Sequence, residues 1–128
     1  MKIASIVLCA GSGTRMRSSK SKMIHDICGR PLAYWSIKNA LKLSHETPIV
    51  VLGHQADQVK STLLACFSYL NFALQPSQNG TGGAVMAALD HISPESSDVL
   101  ILYGDTPLIE ATSLERLIMV HQQSGALL

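Results

Sequence analysis

The sequence is short of charge, of paired cysteines and of long apolar runs. Only 15% of its 128 residues are charged while 47% are apolar, which excludes a disordered, self-repelling chain and points to strands buried on both faces. Its three cysteines, Cys9, Cys28 and Cys66, show no C-x-x-C or zinc spacing. Their odd number speaks against a disulfide framework, so a reducing, cytoplasmic setting is expected. The N-terminal apolar run follows one lysine and ends at glycine and arginine, too short to cross a membrane and without a signal-peptide layout. No internal repeat or low-complexity tract is present. The histidines, His25, His45, His54, His91 and His121, show no metal-ligand spacing and read as surface or packing residues. A chain of this length makes one domain, or a piece of one, able to bury roughly two-thirds of the surface that its unfolded form exposes.

Two familiar phosphate motifs are also missing, although residues 3–22 (IASIVLCAGSGTRMRSSKSK) have the outline of an anion site. Ile3, Ile6, Val7 and Leu8 read as a strand buried on both faces, because the apolar residues are nearly continuous. A loop begins at Ala10. Gly11 and Gly13 let backbone N–H groups approach a ligand, and Arg15, Arg17, Lys20 and Lys22 place four cations within eight residues. The P-loop pattern has no match, and the third glycine of the dinucleotide fingerprint would fall at Met16. Basic side chains must therefore carry more of the binding than in those motifs, with or without a metal. A solvated basic turn is the alternative that spacing leaves open. Residues 15–22 contribute +4, so the remainder sums to −3. Positive charge focused at one loop suits a small anion, not a nucleic-acid backbone.

Along the chain, Met23, Ile24 and Ile27 form a short apolar piece that a turn at Gly29 and Arg30 closes. Pro31 suits the first turn of a helix running to about Leu43, with Ala33, Tyr34, Ile37, Ala40 and Leu41 on its inner side. Trp35 falls on the polar side and reads as a surface tryptophan. Residues 48–52 (PIVVL) predict a second buried strand, followed by a helix over 57–67 carrying Val59, Leu63 and Leu64. A third, shorter strand covers 71–74, a polar loop 75–83 (QPSQNGTGG) and a small-residue helix 84–89. A fourth strand covers 98–103 and stops at Gly104, Asp105, Thr106 and Pro107. The T-S-L-E run at 112–115 predicts a capping box for a last helix ending near Gly125, and 126–128 read as the start of a fifth strand. Strands alternating with helices predict an α/β fold with right-handed crossovers and a mostly parallel sheet. Ligands then sit beyond the carboxyl ends of the strands. The polar segments after the first, third and fourth strands are expected to meet in one crevice.

Asp105 follows an apolar strand directly and would face the cations. It reads either as a hard oxygen ligand for Mg²⁺ beside a polyphosphate or as an Asx turn opening the Thr106-Pro107 bend. Gln75, with Asn79, Gly80, Thr81 and Gly82, offers groups able to read a base edge; a plain glycine loop is the alternative.

These residues resemble a family. LCAGSGTRM at 8–16, Lys22, Gln75, G-T-G at 80–82 and LYGDTPL at 102–108 are similar to sugar-1-phosphate nucleotidylyltransferases. The likeness is strongest to the uridylyltransferase domain of bacterial bifunctional N-acetylglucosamine-1-phosphate uridylyltransferases/glucosamine-1-phosphate acetyltransferases, and it covers nearly the whole chain in order. The resemblance implies a Rossmann-like αβα sandwich. It implies that Leu8, Ala10 and Gly11 contact the nucleoside through backbone, with Gly13 in the same loop, and that Arg15 and Lys22 hold phosphates. It further implies that Gln75, Gly80 and Thr81 recognise uracil, that Tyr103 and Gly104 line the sugar side, and that Asp105 binds Mg²⁺. Cys9 stands where alanine is usual, Ser21 replaces the proline that normally precedes the active-site lysine, and Gly83 replaces a histidine common in close relatives. Loss of that proline is expected to loosen the backbone under Lys22.

The implied reaction is Mg²⁺-dependent transfer of a uridylyl group from UTP to N-acetylglucosamine 1-phosphate. The attacking sugar phosphate is already ionised, so no general base is required and catalysis rests on alignment and charge neutralisation. Rival readings are a nucleotidylyltransferase for another nucleotide or sugar phosphate, and a non-catalytic nucleotide-binding module. The chain is expected to be the N-terminal part of one nucleotidylyltransferase domain, with its sheet incomplete and no second domain. A second metal ligand and a trimer-forming β-helix domain would lie downstream. On that expectation the isolated chain binds nucleotide weakly at best and does not turn over, while the intact protein is a cytoplasmic homotrimer without nucleic-acid or membrane partners.

Overall fold

The structure is a computed structural model that describes residues 1–11 and 19–128. Gly13, Arg15 and Arg17 of the basic loop lie outside the described residues. The first strand, β1 (Ile3–Cys9), is buried at every position, as a strand with neighbours on both edges and helices on both faces must be. After a 3-10 turn (Lys22–Ile24), β2 (Asp26–Ile27) and β3 (Arg30–Pro31) form an antiparallel hairpin. Cys28 (φ 52°) and Gly29 (φ 79°) both take positive φ at its two-residue turn, the conformation that matches strand twist. Next come α1 (Leu32–Leu43), β4 (Ile49–Leu52), α2 (Ala56–Cys66) and β5 (Asn71–Leu74). The chain closes with α3 (Gly80–Ala88), β6 (Asp98–Tyr103) and α4 (Ala111–Ser124).

Among the described residues, β1, β4, β5 and β6 make one parallel sheet in the order β5-β4-β1-β6. Its two faces hold separate cores, as the alternation of side chains along a strand dictates. Val7, Val50, Leu52, Leu100 and Leu102 pack with Ile37 of α1, Leu63 of α2 and Leu114 of α4. Ile6, Leu8, Ile49, Val51 and Ala73 pack with Ala84 and Ala88 of α3. Helices α1 and α2 share one face because two successive crossovers run in the same direction. The return to β6 on the far side of β1 carries α3 onto the other face. That reversal creates a switch point beside β1, where parallel sheets leave a crevice. Val99 and Ile101 of β6 stay 42% and 41% exposed on the α3 side. Among the described residues no helix is long and apolar enough to cross a membrane.

Several expectations are corrected. Leu41 and Leu64 are exposed (43% and 42%). The buried stripe of α1 centres on Ala33, Ile37 and Ala40 and that of α2 on Val59 and Leu63, and one further residue turns a side chain about 100° away. Residues 80–83 are the first turn of α3, not the end of a loop. Glycine is a poor helix former, but packing of Ala84 and Ala88 against the sheet overrides it. The capping box does not form, because α4 begins at Ala111 with Glu110 at the N-cap. Thr112 is then inside the helix, and its hydroxyl donates weakly to Glu110 Oε2 (3.5 Å). Gly125 does end α4 in the left-handed region (φ 64°), but residues 126–128 carry no strand.

A side-chain contact docks α4 on β6: His121 Nε2 lies 2.8 Å from Asp98 Oδ1. The Ser97 hydroxyl donates to Asp98 Oδ2 at 2.6 Å. The Ser97 bond, then the His121 contact, holds the Asp98 carboxyl below the usual carboxylate range. A depressed folded-state pKa stabilises above the unfolded value, and the contribution is lost as pH falls through the folded one. Asp98→Asn should therefore lower the melting temperature at pH 7, with the difference from wild type closing as pH drops below the carboxylate range; thermal unfolding across pH reads this directly.

Candidate functional site

The ends of β1 and β6 meet over a very short distance. Gly104 N–H donates to Leu8 O at 2.9 Å, and a Cβ on Gly104 would stand 2.6 Å from Cys9 Sγ and 3.0 Å from both Leu8 O and Met23 Sδ. Only glycine fits there. The chain then turns, with Thr106 N–H and its hydroxyl both directed at Tyr103 O (3.4 and 3.0 Å). Ser36 of α1 donates to the same carbonyl at 2.7 Å. Asp105 is thereby fixed in front of the β1 end.

Lys22 reaches that carboxylate from the 3-10 turn, its Nζ 2.7 Å from Asp105 Oδ2. The turn is pinned at Ser21, which is 1% exposed. Ser21 has φ −55°, within the range that proline imposes. Its N–H donates to Gln58 Oε1 at 3.2 Å and its Oγ accepts from Met23 N–H at 3.3 Å. The loosening expected beneath Lys22 is therefore not what Ser21 does. A capping hydroxyl and a donated N–H hold the backbone where a ring would have stiffened it.

A cavity of about 320 Å³ opens beyond these strand ends. Leu8, Ala10 and Gly11 line it from the end of β1, Gln75, Gly80 and Thr81 from the β5–α3 connection, and Tyr103 and Asp105 from the end of β6. The three segments expected to converge do so. Gly104 lies behind the wall as the contact that shapes it, and Lys22 joins through Asp105. Gly13 and Arg15 lie outside the described residues. Sequence reasoning missed Gln78, Met23 and Ala84, which also line the cavity. Gln78 Nε2 donates to Ala10 O at 3.1 Å, tying the β5–α3 connection to the end of β1. The second amide in Q-P-S-Q, three residues after Gln75, was the available signal for it.

Asp105 is the carboxylate on the cavity wall, paired with the Lys22 ammonium. Among the described residues no cluster of three or more His, Cys, Asp or Glu could cage a metal. One partly exposed hard oxygen donor beside room for phosphates is nevertheless how Mg²⁺ is usually held, with substrate and water completing the shell. The residues present fit that ion. At the rear, burial first and the Asp105 charge second push the Cys9 thiol up to about 12. Cys9 is thus a protonated packing group, not a nucleophile. It should stay inert to a thiol reagent at pH 8 while the exposed Cys28 reacts; a mass spectrum before and after unfolding distinguishes them. Gly104→Ala should cost about 1–3 kcal/mol of stability through overpacking against Cys9 and Met23, measured by denaturant unfolding.

A sequence profile for the MobA-like NTP transferase domain matches residues 5–128. The chain is 45% identical over 126 residues to the bifunctional protein GlmU of Anaeromyxobacter sp. (strain K), covering 97% of this chain and 26% of that protein. It is 50% identical over 113 residues to GlmU of Aliarcobacter butzleri (strain RM4018), covering 87% and 25%. The chain thus spans about a quarter of the length of these curated relatives. Its fold is shared with Rv0371c of Mycobacterium tuberculosis H37Rv (TM-score 0.81, 19% identity, 96% of this chain and 62% of that one). Rv0371c has also been solved in complex with manganese (TM-score 0.78, 19% identity, 96% and 61% covered).

Proposed function

The chain belongs to the MobA-like NTP transferase domain family, and we propose that within it the protein transfers a uridylyl group from UTP to N-acetylglucosamine 1-phosphate. In this reaction a sugar-phosphate oxygen bonds to the α-phosphorus, the bond from that phosphorus to the bridging oxygen breaks, and pyrophosphate leaves. The products are UDP-N-acetylglucosamine and pyrophosphate. The observation that carries the reading is the pairing of two chemistries in one cavity: an ammonium–carboxylate pair suited to phosphates and a buried carboxamide suited to a base edge. Identity of 45–50% to the N-terminal quarter of GlmU proteins supports the choice of nucleotide and sugar.

Each residue has a task in this reading. Leu8, Ala10 and Gly11 form the apolar and backbone wall against the nucleoside. Gln75 faces the base, together with Gly80 and Thr81, where the first-turn N–H groups of α3 have no acceptor within the helix. Tyr103, 48% exposed, borders the sugar side over the support that Gly104 provides. Lys22 supplies positive charge to the phosphates, and Arg15 does the same from the basic loop. Mg²⁺ held by Asp105 and the phosphates would neutralise charge and fix the triphosphate in line with the attacking oxygen. No side chain is needed to take a proton. Cys9, Cys28 and Cys66 are free thiols, which suits the reducing cytoplasm where UTP is found.

Isothermal titration with UTP, CTP, GTP and dTTP in the presence of Mg²⁺ should rank UTP first. Equal affinities, or binding indifferent to Mg²⁺, would remove the uridylyltransferase reading. Asp105→Asn should abolish the gain in UTP affinity that Mg²⁺ provides while leaving the ligand-free melting temperature nearly unchanged. Lys22→Met should weaken UTP roughly 10- to 100-fold, the worth of one hydrogen bond to a charged group.

A further inference from the structure

Gln75 is 6% exposed, and its backbone N–H is already spent on Leu52 O at 2.7 Å. Its side-chain Nε2 lies 3.2 Å from Gly80 O and 2.7 Å from Asn79 Oδ1. A backbone carbonyl can only accept, so the end of the carboxamide facing Gly80 must be the NH₂ group. The atom of Asn79 that meets the same nitrogen must then be its oxygen. Both hydrogens of Gln75 Nε2 are committed, and none of the hydrogen bonds among the described residues uses its Oε1. That oxygen is not sealed away either: Gln55 Oε1 is the one buried side-chain polar atom left without a partner among the described residues. Gln75 therefore presents an acceptor, and no donor, to the cavity that it lines.

Asn79 makes this arrangement at the expense of its usual role. It occupies the N-cap of α3 yet makes no side-chain capping bond, although asparagine is among the residues best suited to cap. Its side chain folds instead over Gly83. A Cβ at position 83 would stand 1.8 Å from Asn79 Oδ1 and 2.4 Å from Asn79 Cγ. The carboxamide of Asn79 thus fills the space in which any larger residue at 83 would put its side chain.

We propose that Asn79 is a positioning residue for base selection: it locks the Gln75 carboxamide with its oxygen towards the cavity, and the bare Cα of Gly83 is what admits it. The base class that follows has an N–H at the imide position, as uracil and thymine do. Cytosine presents a lone pair at that ring nitrogen and would meet the Gln75 oxygen acceptor to acceptor. Without Asn79, one N–H of Gln75 loses its partner at a part-buried position, and the carboxamide gains a reason to turn and donate into the cavity. The pyrimidine edge would then be read less strictly. This inference rests on the cavity being a nucleoside triphosphate site and adds how the base is chosen.

The test is the ratio of UTP to CTP affinity, measured by titration with Mg²⁺ for the wild-type chain and for Asn79→Ala, Asn79→Asp, Gly83→Ala and the Asn79→Ala/Gly83→Ala pair. Asn79→Ala should reduce the ratio about tenfold, near the worth of one hydrogen bond. Asn79→Asp keeps an oxygen for Gln75 to donate to and should retain the wild-type ratio, which a general loss of folding would not allow. Gly83→Ala should mimic Asn79→Ala, and the double variant should be no worse than either, because both single changes remove the same contact. A wild-type chain that prefers UTP, with Asn79→Ala keeping that preference, overturns the positioning role alone. Additive losses at 79 and 83 overturn it as well. A wild-type chain that binds neither nucleotide overturns the reading of the cavity, and this inference with it.

Discussion

On leaving β6, the chain has to turn within contact distance of the end of β1. Gly104 makes that possible because nothing projects from its Cα into the space held by Cys9 Sγ and Met23 Sδ, and its N–H closes the gap onto Leu8 O at 2.9 Å. Two consequences follow. The next residue, Asp105, is carried to the mouth of the switch point without freedom to drift. Met23, packed at the same spot, anchors the turn from which Lys22 extends, so residues 83 positions apart in the chain meet as an ion pair. Steric closeness of two backbones thus does the work of bringing opposite charges together. The buried Cys9 thiol, insulated by burial and faced by a carboxylate, stays protonated and serves as packing.

Most of the strands are legible in the sequence for a simple reason. Residues 49–52, 71–74 and 98–103 are short apolar runs bounded by glycine, proline or polar residues, and a parallel sheet covered on both faces requires such runs. The convergence of three loops is legible too, since topology alone sends the carboxyl ends of parallel strands to one side. Helix starts are less so. Residues 80–83 read locally as a glycine loop, and only the packing of Ala84 and Ala88 against Ile6, Leu8 and Val51 draws them into α3. At α4 the T-S-L-E run has the right letters, but the chain becomes helical at Ala111 and leaves Thr112 inside the first turn. Gln78 was hidden because its partner is the backbone carbonyl of Ala10, and sequence spacing carries no information about a carbonyl 68 residues away.

Of the three positions where the sequence departs from the pattern it resembles, 21 and 83 are compensated locally. At 21 a serine stands where a proline is usual, and the N–H that proline would lack is taken up by Gln58 while the hydroxyl caps Met23 N–H. At 83 a glycine stands where a larger side chain is common, and Asn79 occupies the space. At 21 a lost constraint is replaced by hydrogen bonds, and at 83 a lost volume is filled by the Asn79 carboxamide. The backbone under Lys22 and the side chain of Gln75 are therefore held by residues that line up behind them, which ligand-contacting positions alone do not reveal.

The two ends of the site differ in how firmly they are held, and the difference suits a transfer reaction. Lys22 and Asp105 have side chains 34% and 30% exposed, so water screens their attraction and breaking the pair costs about 0–1 kcal/mol. A hydrogen bond from the same ammonium to a phosphate oxygen is worth about 1.5–3 kcal/mol. In the proposed reaction this balance would favour surrender of Asp105 to a cation and of Lys22 to an arriving triphosphate. Gln75 has no such latitude: it is buried, both its N–H groups are engaged, and turning its carboxamide would leave polar atoms unpaired. On the proposed reading, charge is held loosely where substrate and product would exchange, and hydrogen bonding is held tightly where the base would be judged. A site built the other way round, with a rigid charge pair and a free carboxamide, would resist loading and accept any base.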